Sequence, residues 1–419
     1  MKHTLFVLIL ACSPCAAADK PLLIQWGQTT PDSTLLARHY QYWESYLPFD
    51  GIIVPINQKR YSGRYGSTAV NILPPEHWPL DHVAFHHRKI APAEYQHVID
   101  DLRSCHFKQF KHNFLGLTTY PHLNFAMDWF DDALWQNLLH NVGVLARTAR
   151  QSGCQGIWFD TEQYGPPNVW HWRRLCQIMP NRATDFATYR NQVARRGEQF
   201  IRAINREFPG LTLSLAFGNC LLHDDVVNRP ALKGKPFSHA RSVLIAPFLD
   251  GILRAADVET TVIDAYELSY YYKTADQFRA ASRIVRQACQ TYSLVPELYA
   301  RRIRVSFGLY PTRPGMFNAR DFTNNRFQPA ELRRAVSAAM QQTDKYVWIW
   351  NERTSFWIKG GPTGRPLLPL QPFVNSDNAD ASHLTASVTD RNAMRTQDSG
   401  IPASYLEAIA QGKREALRK

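Results

Sequence analysis

The sequence predicts an α/β chain closed into a (β/α)8, or TIM, barrel. Three observations carry that prediction: eight short apolar runs, amphipathic stretches between them, and acidic or aromatic residues where the runs end. The runs span residues 22–26, 51–56, 113–117, 156–159, 211–217, 260–266, 303–309 and 346–350. Each is short and apolar, as a strand buried on both faces is. Helical periodicity fills 31–47, 92–104, 130–152, 182–208, 274–292 and 329–343. Strands alternating with helices make a parallel sheet with right-handed crossovers, and eight such units close on themselves. Local signals agree. Asp131 and Asp132 open the helix that Ser152-Gly153 ends, and Pro329 sits where a first helical turn needs its preset φ.

The 419 residues are 45% apolar, enough to bury one large core. Residues 1–18 read as an export signal: Lys2 and His3, an apolar run over 5–11, then Ala16-Ala17-Ala18 before Asp19. The expected location is thus the periplasm or the exterior, with acylation at Cys12 as the alternative way of leaving the cytoplasm. No later run is long enough for a membrane span. The barrel is assigned to 19–359. Past Gly360 the composition turns to Gly, Pro, Ser, Asp and Asn, which predicts an irregular extension over 360–419 ending in a short basic helix near 403–418. Two connections, 58–91 after the second run and 310–328 after the seventh, are too long for plain barrel loops. Loops after barrel strands lie on the catalytic face, so both are expected to wall a cleft.

Five cysteines follow the signal, and Cys176 with Cys220 is the first pair to consider for a bridge. There is no CxxC pair and no zinc spacing, and His86, His87 and His112 read as solvated loop residues, so neither metal nor cofactor is expected. The net charge of +12 favours acidic partners: an anionic glycan, a cell surface or nucleic acid. No nucleic-acid motif accompanies the charge, so that partner is not expected. The competing reading of the arginines at 190–196 and 301–304 is solvated helix faces.

The most informative stretch is Gly156-Ile157-Trp158-Phe159-Asp160-Thr161-Glu162-Gln163-Tyr164, an apolar strand that ends in two carboxylates and a phenol. Acids at the tip of a buried strand are costly unless hydrogen-bonded or employed. If the barrel closes, strand ends converge: Asp160, Glu162 and Tyr164 from the fourth, Asn219 after the fifth, Asp264, Tyr266 and Glu267 from the sixth, Trp348, Trp350, Asn351 and Glu352 from the eighth, Gln25 and Trp26 from the first. Cleaving a glycosidic bond needs one carboxyl that donates a proton and a second group that opposes positive charge at the sugar carbon. Asp160, Glu162 and Glu267 are the catalytic candidates. Tyr164, Trp26, Asn219, Asp264, Tyr266, Trp350, Asn351 and Glu352 are the candidates for holding a sugar, whose C–H faces pack on aromatic rings. Structural alternatives exist for each acid: pairing of Asp160 or Glu162 with Arg173 or Arg174, of Glu267 with Lys273, of Glu352 with Arg353, and a structural acceptor role for Asp264. No Gly-x-Ser-x-Gly elbow, phosphate loop, dinucleotide fingerprint or His-Glu-x-x-His is present.

The stretch 156–164 with the barrel pattern resembles the (β/α)8 glycoside hydrolases and their bacterial relatives. Asp160-Thr161-Glu162-Gln163-Tyr164 is similar to the fourth-strand motif of family 18 chitinases. That resemblance implies Glu162 as proton donor, Asp160 as the residue positioning an acetamido group, and Tyr266 as the strand-six tyrosine. Where the chitinase motif carries earlier aspartates, this chain has Gly156 and Trp158. A second resemblance, to α-galactosidase-like barrels, implies Asp160 as nucleophile and Glu267 as acid/base. The expectation is an exported glycoside hydrolase acting on a carbohydrate, with an anionic one favoured by the charge. A non-catalytic glycan-binding barrel and a polysaccharide lyase are the alternatives.

Overall fold

The computed structural model describes residues 20–56, 84–85, 87–119, 127–162, 169–182, 184–352, 354–357 and 400–418. Nine strands pair in parallel: β1 (Leu22–Gly27), β2 (Gly51–Val54), β3 (Phe114–Thr118), β4 (Gly156–Asp160), β5 (Thr212–Leu215), β6 (Thr261–Asp264), β7 (Ile303–Val305), β8 (Phe307–Leu309) and β9 (Tyr346–Asn351). Their spatial order is β7-β6-β5-β4-β3-β2-β1-β9-β8. β7 and β8 are the two halves of the single run 303–309, divided at Ser306. The first half pairs with β6 and the second with β9. Ser306 makes the handover: its N–H donates to Asp264 O at 3.1 Å and its hydroxyl to Tyr346 O at 2.7 Å. The eight runs therefore form the eight staves of a closed (β/α)8 barrel, as the sequence predicts.

Ring contacts show which residues point inward. Trp26 on β1 and Trp158 on β4 are not on neighbouring strands, yet their centroids are 5.4 Å apart, and Trp348 joins them at 5.5 and 5.0 Å. Such contacts run through the barrel axis. Register carries the assignment around the sheet, since Trp158 pairs with Ser214, Ser214 with Ile263, and Trp26 with Trp350. By strand alternation Asp160 and Trp350 face inward, whereas Gln25, Asp264 and Asn351 face the helices. Gly308 makes room for this packing: a Cβ there would lie 2.5 Å from the Trp348 ring.

The helices are α1 (Ser33–Glu44), α2 (Gln96–Ser104), α3 (Asp132–Gln151), α4 (Trp172–Ile178), α5 (Phe186–Glu207), α6 (Asn219–Asn228), α7 (Ile245–Ala255), α8 (Ala275–Arg283), α9 (Pro296–Arg302), α10 (Pro329–Gln342) and α11 (Ala403–Leu417). Aspartates 32, 131 and 185 cap α1, α3 and α5 by accepting from backbone N–H groups at 2.9 to 3.0 Å. Four helices go beyond the sequence prediction: α4, α6, α7 and α9. α7 is buried from Ile245 through Leu253. The predicted helix 274–292 is broken into α8, a π turn at Ile284–Ala288 and a 3-10 turn at Cys289–Tyr292.

The terminal helix is packed into the barrel. On α11, Tyr405 donates its hydroxyl to Phe327 O at 2.6 Å, accepts from Asn325 Nδ2 at 2.8 Å, and meets the rings of Phe317 and Phe322. Gly412 lets the helix lie against α10, where a Cβ would come within 2.5 Å of Arg333 O. Lys413 reaches the loop before β2, pairing with Asp50 at 2.6 Å. α11 thus packs beside α10, between it and the loop that leads into β2.

Two expectations are corrected. All five described cysteines are free, so Cys176 and Cys220 form no bridge: Cys220 is buried with its thiol on Asp264, and Cys176 is half-buried on α4. Arg196 is not on a solvated helix face. It is 2% exposed, pairs with Asp132 at 2.6 Å, donates to Trp129 O at 2.9 Å, and lies over the Trp135 ring at 5.2 Å. Among the described residues, no helix is long and apolar enough to cross a membrane.

Candidate active site

The fourth stave delivers its acids as a locked tip. Asp160, 7% exposed, accepts at Oδ1 from the Glu162 N–H at 2.9 Å, a local turn that sets both side chains on one side of Thr161. Thr161 points the other way. Its hydroxyl donates to Phe217 O at 2.6 Å and accepts from Phe217 N at 3.1 Å, while its carbonyl accepts from Trp170 Nε1 at 2.9 Å. Thr119 donates to Glu162 O at 2.9 Å. Neighbours on both sides of β4 therefore fix the backbone from which the two carboxylates project.

The sixth stave delivers Glu267 by a different device. Simple alternation beyond Asp264 fails because Tyr266 is left-handed, with φ 41°. Asp264 Oδ1 accepts from Tyr266 N at 3.2 Å, and Ser269 Oγ lies 2.9 Å from Tyr266 O while accepting from Gly308 N at 3.0 Å. The turn aims Glu267 at the acids of β4. Its carboxyl, 9% exposed, is pushed well above the ordinary carboxylate range by burial first and then by the negative charges of Glu162 and Asp160. A hydrogen bond from Tyr270 opposes the shift, and Oε2 has no hydrogen-bond partner. The acids of the fourth and sixth staves thus share one electrostatic neighbourhood.

Aromatic rings floor this mouth. Trp26 and Trp350, both half-buried, meet edge to face at 4.4 Å above the buried Trp158 and Trp348. Trp348 is anchored by donating Nε1 to Ala265 O at 3.0 Å, and Tyr270 packs on it at 5.3 Å. Tyr310 meets Tyr270 at 5.2 Å, and its hydroxyl is pushed up by burial and then by the Glu352 carboxylate beside it.

Four candidates for holding a sugar stand elsewhere. Asp264, with no exposed surface, faces the helix layer and accepts from Cys220 N at 3.1 Å and Cys220 Sγ at 2.9 Å. Its position outside the barrel follows from alternation, and burial raises its pKa. Asn219, equally buried at the start of α6, donates to Cys289 O at 3.2 Å. Asn351 is tied to Gln25, Thr29 and Thr354 behind β9. The Tyr266 ring, 3% exposed, packs between Tyr272 and Phe307. Tyr164 lies outside the described residues, as does Arg353, the suggested partner of Glu352. The other suggested ion pairs go to different partners: Lys273 to Glu331 at 2.9 Å, Arg173 to His239 and Arg174 to Gln177.

Tyr270 and the 310–328 loop with Arg313 complete the rim as the sequence suggests, together with Tyr271, Tyr310 and Arg326, which sequence reasoning did not single out. For Tyr271 the signal was the run Tyr270-Tyr271-Tyr272 beginning three residues after Glu267, three phenols in a loop with no periodicity to bury them. Among the described residues, no group of three or more His, Cys, Asp or Glu is arranged to hold a metal ion.

No protein-family pattern and no curated protein sequence matches this chain. Solved structures do. A GH5-4 broad specificity endoglucanase from Clostridum cellulovorans is 11% identical with a TM-score of 0.43, covering 94% of this chain and 95% of its own. A GH18 chitinase from Pseudoalteromonas aurantia is 11% identical with a TM-score of 0.37, covering 78% of this chain and 93% of its own. Endonuclease IV from Thermus thermophilus is 9% identical with a TM-score of 0.33, covering 79% of this chain and 92% of its own. Barrels of one layout host unrelated reactions, so the chemistry rests on this chain's own residues.

Proposed function

We propose that the chain is a carbohydrate-active hydrolase that cleaves a glycosidic bond at the mouth of the barrel. Glu267 is the proton donor, and Asp160 and Glu162 are the pair that opposes positive charge at the sugar carbon. One observation carries this reading above the rest: burial and the facing carboxylates of Glu162 and Asp160 push the Glu267 carboxyl toward its protonated form, while Asp160 is held in place by the Glu162 N–H. A carboxyl that keeps its proton, set opposite a second carboxyl group, is what acid-assisted glycoside cleavage requires. The half-buried indoles of Trp26 and Trp350 offer the face on which a pyranose ring stacks. In the reaction Glu267 gives its proton to the glycosidic oxygen as the carbon–oxygen bond breaks. A carboxylate of the fourth stave stabilises the sugar carbon. Water then supplies hydroxide to that carbon, and its remaining proton returns to Glu267. The export signal read at residues 1–18 supports a substrate met outside the cytoplasm.

The assignment is tested with a glycoside library that includes activated aryl glycosides. Glu267→Gln should lower turnover of ordinary linkages by about 10²- to 10⁴-fold. Nitrophenyl glycosides, whose leaving group needs no proton, should be affected far less. Asp160→Asn should impair both. Wild-type turnover of ordinary linkages by Glu267→Gln would remove Glu267 as donor. No turnover, combined with a ligand-dependent rise in Tm, would identify a glycan-binding barrel instead, and unsaturated products absorbing in the ultraviolet would identify a lyase.

A further inference from the structure

Beside the carboxylates, the loops after the sixth and seventh staves assemble a second chemical feature. Arg313 and Arg326 converge on one phenol, with guanidinium carbons 5.8 and 5.1 Å from the Tyr271 ring centroid, and Arg313 donates to the Tyr271 hydroxyl at 3.0 Å. Both arginines are exposed, and among the described residues neither forms an ion pair, whereas nearby Lys273 is taken up by Glu331. Glu352 acts on Arg313 electrostatically but leaves its remaining N–H groups available. The feature is continuous with the proposed proton donor. Tyr270 hydrogen-bonds Glu267, Tyr271 follows it in the chain, and Tyr310 stacks on Tyr271 at 6.3 Å and meets Trp350 at 6.4 Å.

A guanidinium lying against an aromatic ring is oriented by it and presents a planar fork of donors, which fits a carboxylate or an oxyanion ester with two parallel hydrogen bonds. A neutral hydroxyl accepts from such a fork one N–H at a time and without the charge assistance. We infer that the substrate is a glycan bearing an anionic group, a carboxylate or a sulfate, close to the linkage cleaved, and that Arg313 and Arg326 determine this specificity. The inference deepens the hydrolase reading and rests on it for the word substrate.

Binding separates the two. In the Glu267→Gln background, calorimetry at fixed ionic strength compares three tetrasaccharide probes: a neutral glucan, a uronate and a sulfated chain. One anionic probe should bind at least tenfold more tightly than the neutral one, and which one it is names the source of the charge. Arg313→Gln with Arg326→Gln should abolish that ratio. Arg313→Lys with Arg326→Lys, which keeps the charge and loses the fork, should retain part of it. Arg301→Gln with Arg304→Gln changes the net charge equally at the opposite end of the barrel, beside the groove formed with Val258 and Leu298, and should leave the ratio intact. Equal binding of neutral and anionic probes, or equal losses in the two Gln pairs, would overturn the inference. Turnover of an anionic glycan untouched by the Arg313 and Arg326 changes would remove it while the hydrolase reading stood. Charge-selective binding with no turnover of any probe would do the reverse.

Discussion

Tyr266 is the one non-glycine residue with positive φ among the described residues, and it stands between a helix-facing aspartate and a mouth-facing glutamate. A left-handed tyrosine costs about 1–3 kcal/mol and persists only where its surroundings over-determine it. Here Asp264, Ser269 and the packing of its own ring do so. This explains how the site was partly legible. Asp160 and Glu162 follow the two-residue period of their strand, so their shared side was readable. The reversal after β6 was not, because nothing in Asp264-Ala265-Tyr266-Glu267 announces a positive φ at a tyrosine. The exchange of roles, Asp264 inside the framework and Glu267 at the mouth, has a measurable signature. Glu267's folded-state pKa lies above the ordinary 4.5, so between 4.5 and that raised value the folded chain binds more protons than the unfolded one. Stability from this group is fully present below pH 4.5 and is lost as pH rises through the folded pKa, about 1.4 kcal/mol for each unit of displacement. Glu267→Gln removes the titration. Its Tm should match wild type near pH 4 and exceed it increasingly toward pH 8; parallel curves across that range would show the carboxyl to be unperturbed.

At the level of elements, the strands were far more legible than the helices. Every stave coincides with a short, mainly apolar run, because a strand buried on both faces admits few polar residues, such as Gln25 and Ser214. The helices that escaped reading lacked a usable period. α7 is buried along most of its eleven residues, α4 and α9 each span only seven residues, and the π turn after α8 shifts the phase of what reads as one helix. Strand seven carries another feature invisible to periodicity, the close approach of Gly308 to an indole. Gly308→Ala would place a methyl 2.5 to 3.0 Å from three atoms of the Trp348 ring, which cannot retreat because Trp26, Trp158 and Tyr270 surround it and Ala265 O holds its Nε1. Overpacking of this kind costs about 1–3 kcal/mol. Urea unfolding should show that loss together with a shifted tryptophan emission, and an unchanged midpoint would mean that the stack yields more readily than its contacts imply.

For the whole molecule, the terminal helix and the split stave decide how the ring is finished. Composition marked 360–419 as an extension, yet α11 buries Tyr405 and Ile409 completely against the barrel. A chain ending before Ala403 would expose that face of α10 and take from Asn325 its contact with Tyr405 and from Asp50 its pairing with Lys413. Its Tm should fall by ten degrees or more in a thermal melt, and a truncated chain melting with the full-length protein would show that the helix closes nothing. The split stave has a consequence of its own. The other staves each run as one unbroken strand, but the seventh gives three residues to β6 and, beyond Ser306 as its rivet, the next three to β9. The cylinder is in effect a belt whose buckle lies at Ser306. The tongue of that buckle ends at Tyr310, directly against the rings of Tyr270 and Trp350, so the stave divided between two neighbours is also the one that leads into the aromatic rim.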